Sequence, residues 1–191
     1  MGDRPHVYDE ALIGRRLAWG SEHTVHDYGD TEVIKFSIIE KVLGVKGADK
    51  TAYDLDISKR FFGEFFLETR LAVSPDGRRT VVIQKKVRGR DLVKNDLRDP
   101  VLRDQFNEIV RRYRSMISEG YAVVDLIGQA GFFTRKICNI WVIDDTLRVI
   151  DSSLVELRGV PILSALSPLV SKLWLLRQDA LIEDFLKKDP A

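Results

Sequence analysis

Four polar side chains stand where chemistry, more than packing, would put them. Lys35 interrupts the apolar run "VIKF" at 33–36, and Asp125 follows the apolar "AVV" at 122–124. Asn139 and Asp151 flank "IWVIDDTLRVI" at 140–150. That stretch reads as two short strands about the turn Asp144-Asp145-Thr146. The ends of an antiparallel hairpin come together, so an amide and a carboxylate are expected at its mouth. A lysine for phosphate, a carboxylate as base, and an amide plus a carboxylate for a metal are the parts phosphoryl transfer needs. Magnesium takes oxygen ligands and keeps several waters. One Asn and one Asp therefore suffice where phosphates supply the rest.

The elements that must carry these residues follow from pattern. Residues 11–20 and 31–39 read as strands around the loop "WGSEHTVHDYGD", and 40–49, with Gly44 and Gly47, as a further loop. A helix is predicted over 49–62, with Tyr53, Ile57 and Phe61 on one face and Gly63 as its stop. "FFLETRLAVSPDGRRTVVIQKKV" reads as a hairpin turning at Ser74-Pro75-Asp76-Gly77. The clearest helix begins at "DPVLRDQF". Its stripe is Phe106, Ile109, Val110, Tyr113 and Ile117, and Gly120 ends it. The Leu-rich stretch 162–186 predicts one or two closing helices. The fold class is α+β. A five-stranded antiparallel sheet with one helix is expected over 1–88, and a reduced helical region around the small hairpin over 89–191. A hinge is expected near 87–92 and a ligand cleft between the two parts.

Composition narrows the function classes. With 45% apolar and 31% charged residues, the 191-residue chain can bury a core and stay soluble. A formal charge of +1 gives no bulk signal for nucleic acid, and "KKVRGR" and "RRYR" read as solvated faces. Cys138 is the single cysteine, which excludes an internal disulfide. His6, His23 and His26 lack the spacing of a zinc site. No apolar run approaches membrane-spanning length and the N-terminus has no apolar signal segment, so a cytoplasmic location is expected.

Taken together, these motifs resemble the protein-kinase-like superfamily over about residues 11–155. The likeness is to its small, divergent prokaryotic members, including lipopolysaccharide and aminoglycoside kinase types. "VIK" ending at Lys35 is similar to the third-strand lysine motif. "NIWV" and "VID" resemble the catalytic-loop asparagine and the metal-binding aspartate. "VIQKKVRGRDL" resembles the hinge with its trailing Gly89 and Leu92, and Asp125 resembles the catalytic-loop aspartate.

The resemblance implies ATP and magnesium as cofactors. It implies that Gly20 and Ser21 cover phosphate, Lys35 holds the α and β phosphates, and Gln84 to Val87 lie along the adenine. It also implies Asn139 and Asp151 as magnesium ligands and Asp125 as the group that orients or deprotonates an acceptor hydroxyl. The family's helix acid, partner of the lysine, falls on Asp54, with Asp49, Asp56 and Glu64 also eligible. The acceptor class stays open among a small molecule, a lipid head group and a protein.

The chain departs from the family pattern at several points. Of G-x-G-x-x-G-x-V, "AWGSEHTV" keeps only Gly20 and Val25. Asp125 and Asn139 are fourteen positions apart, where the family has five, so an inserted turn "GQAGFFTRK" is implied. Asp151 precedes Ser152 and Ser153 instead of Phe-Gly, and forty residues follow it, fewer than a full substrate-holding helical region has. These departures support a rival reading, a pseudokinase that binds nucleotide or serves as a regulatory scaffold. A second rival is a nucleic-acid-binding protein that uses the basic patches, whose binding would weaken steeply with salt.

Overall fold

The structure is a computed structural model. It describes residues 6–19, 23–37, 48–123, 126, 137, 139–151, 154–156 and 167–187. The chain divides into two compact units, Met1–Ile57 with Leu67–Val87, and Ser58–Phe66 with Arg88–Ala191.

The first unit is built on a sheet of β1 (His6–Val7), β2 (Ile13–Trp19), β3 (His23–Tyr28), β4 (Glu32–Ser37), β5 (Thr69–Val73) and β6 (Thr80–Lys85). Their spatial order is β1-β5-β6-β4-β3-β2. The sheet has six strands, not the five expected, and it is mixed, because β1 runs parallel to β5. Two residues carry no periodicity, so β1 is invisible to pattern. Tertiary contacts make it: Tyr8 donates its N–H to Val73 at 3.0 Å, and its buried ring meets Phe36 edge-on at 6.2 Å. The supposed loop after Trp19 also contains a strand. "HTVHDY" is too polar to read as one, yet β3 pairs with β2 on one side and β4 on the other.

Register assigns each face. Ile34 and Phe36 of β4 lie opposite Ile83 and Val81, and with Tyr8, Tyr28 and Ala72 they form the unit's apolar cluster. Lys35 has the opposite parity and shares the other face with Val25, Val82 and Leu71. The Ser74–Gly77 turn forms as predicted, closed by the Gly77 N–H on the Ser74 carbonyl at 2.8 Å. Helix α1 (Ala48–Phe62) also forms. Its buried face holds Leu55, Ile57, Phe61 and Phe62, while Tyr53 is exposed. Gly63 stops it in the left-handed region at φ 53°, where a side chain would be strained.

In the second unit β7 (Arg90–Asp91) precedes α2 (Pro100–Ser118), β8 (Tyr121–Val123), the hairpin β9 (Ile140–Ile143) and β10 (Thr146–Val149), then β11 (Leu154–Glu156) and α3 (Ser167–Leu186). Helix α2 starts as its sequence dictates. Asp99 accepts from the N–H groups of Val101 and Leu102, and Pro100 fills the first turn, where no N–H is needed. Its buried stripe is Leu102, Phe106, Ile109, Val110, Tyr113 and Met116; Met116 takes the place expected of Ile117. Among the described residues, the Leu-rich stretch is the single helix α3, with Leu181, Ile182 and Phe185 buried.

The hairpin turns on Asp144 and Asp145 alone, both at positive φ (46° and 56°). That is the two-residue turn whose twist suits antiparallel strands. Thr146 already belongs to β10, paired with Ile143. A third strand, β7, adds to β9 through Arg90 and Asp91. Gly89 lies so close to β9 that an added Cβ would stand 2.7 Å from Ile143 Cγ1 and 3.0 Å from the Val142 carbonyl oxygen. The side chain can shift, but the carbonyl is part of the strand. Gly89→Ala is therefore expected to cost about 2 kcal/mol, the usual scale of overpacking. A thermal melt unchanged from wild type would show that β7 gives way freely.

Candidate functional site

Within the first unit, Lys35 is 8% exposed on the apolar side of the sheet away from the Tyr8 cluster. A charged amine there costs free energy unless an anion faces it. Gln84 lies diagonally across on the same face, because Lys35 is opposite Val82 and Val33 is opposite Gln84. Its side chain is buried and donates from Nε2 to Thr69 Oγ1 at 3.0 Å, while Thr69 donates to the Leu67 carbonyl at 2.6 Å. Gln84 thus braces β5 against β6. Val87, half-buried, lies two residues beyond the end of β6.

Of the four acids eligible to pair with Lys35, Asp54 lies on α1, where Lys50 Nζ approaches its carboxylate at 2.5 Å one turn earlier. Asp49 and Asp56 are exposed on the same helix. Glu64 lies beyond the helix and is held by Arg112 at 2.8 and 3.0 Å. On β3, Asp27 is lowered below the usual carboxylate range, first by its bond to Lys86 and then by Arg15.

Within the second unit, the Ile150 N–H donates to the Asn139 carbonyl at 3.0 Å and closes the hairpin mouth. Asn139 stands opposite Ile150, and Asp151 is the next residue out. The structure therefore brings these two oxygen-bearing residues to one end of one hairpin, both half-buried. Asp151 also lies three residues before Leu154, whose ladder partner is Val123, and Asp125 is two residues beyond Val123. Gly20, Ser21 and Asp125 themselves lie outside the described residues, as do the implied inserted turn and Cys138.

The platform under this hairpin is α2, and within its "RRYR", expected to be a solvated face, Arg112 is half-buried. Arg112 donates from Nε to Glu108 at 2.7 Å and from Nη1 to the Phe62 carbonyl at 2.8 Å, besides its two bonds to Glu64. Its guanidinium stacks over the Phe65 ring, 5.0 Å from the centroid. Arg111, then Arg112, hold the Glu108 carboxyl down to about 2. Tyr113, raised by burial, places its hydroxyl against Gln178 of α3 and donates to the Val123 carbonyl at 3.3 Å. A Glu four positions before an Arg is the one local signal from which this network could have been read.

Comparison with protein-family models and with curated proteins gives no match. Among solved structures, the Legionella pneumophila Lpg2603 kinase bound to IP6 is similar, with a TM-score of 0.53 over 88% of this chain. The fold is kinase-like. At 16% identity the likeness extends to the fold alone, and the chain spans 58% of the Legionella protein's length. Among the described residues, no helix is long and apolar enough to cross a membrane, and no three His, Cys, Asp or Glu side chains cluster as a metal site. A magnesium held between nucleotide phosphates asks less. Asn139 and Asp151 are hard oxygen donors of the kind magnesium prefers, and they fit a site completed by phosphate and water.

Proposed function

We propose that the chain is an ATP- and magnesium-dependent phosphotransferase, of the small prokaryotic type akin to lipopolysaccharide and aminoglycoside kinases. In this reading it moves the γ-phosphate to a hydroxyl acceptor. The observation that carries it is the closed hairpin mouth, which gathers Asn139 and Asp151 in a chain of kinase-like fold. Burial of Lys35 within β4 supports the same reading.

Each residue has a role in this reading. Lys35 neutralises the α and β phosphates, and Asp54 is the helix acid that would steady it. The backbone near Gly20 and Ser21 covers phosphate, and the chain from Gln84 to Val87 lies along the adenine. Asn139 and Asp151 hold magnesium, which when bound offsets the charge of the phosphate oxygens. Asp125 orients the acceptor hydroxyl and takes its proton. The protein's contribution is positioning and charge neutralisation, not covalent chemistry.

Thermal unfolding with ATP, with and without magnesium, tests the reading. A ligand bound only by the native state stabilises by about 2.7 kcal/mol at a hundredfold excess over its Kd. A magnesium-dependent rise in Tm is expected. No rise at millimolar ATP would sink the reading. IP6 is a second probe, since the Legionella protein was solved with it. A pseudokinase is the alternative. It is favoured by the fourteen-residue separation of Asp125 and Asn139 and by the loss of two glycines from the phosphate loop. Nucleotide binding without transfer to any acceptor would decide for it.

A further inference from the structure

An edge strand must dispose of the N–H groups on its outer side, and β10 is the outer strand of the order β10-β9-β7. The Ile150 N–H points inward, to Asn139 of the partner strand. By the alternation of an antiparallel ladder, the N–H groups of Leu147 and Val149 then point outward. Two elements meet that edge. Gln105 of α2 accepts the Leu147 N–H at Oε1, at 2.7 Å, and Phe66 forms a parallel bridge with Val149. The face below is apolar and buried: Leu147, Val149 and Ile140, with Val142 beside them. Apolar packing holds a hairpin down but fixes its position along a helix loosely. A hydrogen bond to one N–H fixes it to one residue.

We propose that Gln105 is a positioning residue for the magnesium ligands, setting the hairpin that carries Asn139 and Asp151 at one position on α2. This rests on the phosphotransferase reading. Leu147 is four residues from Asp151, about 13 Å at strand rise. A small slide of the hairpin therefore moves both ligands together. Misplacement of a reacting group by about 1 Å can cost on the order of a hundredfold.

The test compares the full-length protein with Gln105→Leu, which has similar size and no acceptor, and Gln105→Glu, which keeps an oxygen for Leu147. Gln105→Asn, with the acceptor drawn back by one carbon, serves if the leucine variant does not fold. The readouts are amide hydrogen exchange at Leu147 and the factor by which magnesium tightens ATP binding in calorimetry. In Gln105→Leu, exchange at Leu147 is expected to quicken and the magnesium factor to fall about tenfold, the lower end for residues that support metal ligands. ATP affinity without magnesium should hold, and Gln105→Glu should restore the factor. An unchanged magnesium factor in Gln105→Leu, or in Gln105→Asn if that variant is needed, would overturn the proposal and leave the phosphotransferase reading standing. A wild-type protein with no magnesium-dependent ATP binding would overturn that reading, and the role of Gln105 with it.

Discussion

Asp151→Ala is expected to remove the magnesium-dependent part of ATP binding and to lower turnover by about a hundredfold or more. A metal ion offsets several kcal/mol of developing charge in phosphoryl transfer, and each 1.36 kcal/mol is tenfold in rate. The fold should survive, because Asp151 lies past the last pair of β10 and only half-buried. Calorimetry with ATP, titrated with magnesium, separates the two effects. The variant should bind ATP as weakly with the ion as without it, while its melt in the absence of ligand stays near that of wild type. Asn139→Ala should act in the same direction with a smaller effect, since an amide oxygen carries no net charge. Unchanged turnover in Asp151→Ala would remove the metal assignment and leave the kinase-like fold untouched.

Arg112→Ala is expected to destabilise the protein by about 2 kcal/mol, the scale of losing the charged hydrogen bonds that the half-buried Arg112 makes. For a chain of this size that is a Tm lower by roughly 4–8 °C. The loss leaves the Phe62 carbonyl at the end of α1 without its donor, and Glu64 and Glu108 without a shared cation. Arg112→Lys should recover less than half. One ammonium cannot serve acceptors in three directions as a planar guanidinium does. Full recovery would show that charge alone matters.

The same network sets an acid limit. Glu108 is depressed to about 2 in the folded protein, and Glu64 is also lowered. Carboxylates depressed in this way contribute stability that is complete above their unfolded value of 4.5 and lost as pH falls below it, towards 2 for Glu108. Urea melts across that window should show a smaller acid loss in Arg112→Ala than in wild type.

Much of this architecture was legible where local rules and tertiary demand agree. Helix α2 announced itself through the Asp99-Pro100 start and the stripe on Phe106 and Tyr113. The hairpin announced itself through two apolar runs about an acidic turn. Strand β3 was not legible, because His23, His26 and Asp27 break the alternation, and pairing on both sides overrides that polarity. Strand β1 is too short to hold any period. Gln105 escaped notice because a polar residue beside a helix stripe reads as solvated. Its partner is a backbone N–H forty-two residues later, which no spacing rule reaches. Lys35 stands out for the opposite reason: a charge inside a β-branched run conflicts with its own neighbourhood, and such conflicts are visible without a structure.

The outer strand β2 has a consequence for how the protein behaves in company. It ends the six-stranded sheet on one side, and all its residues but Ile13 are exposed, Trp19 at 74%. A flat edge of that length would invite another chain to extend the sheet. β2 is not flat. Its pairing with β3 slips twice, between Ile13 and Arg16 and again between Arg16 and Ala18, and Arg15 and Arg16 sit in the middle. Two copies meeting there in antiparallel fashion would set arginine near arginine across an irregular ladder. An irregular strand with two central arginines therefore disfavours sheet growth at this edge.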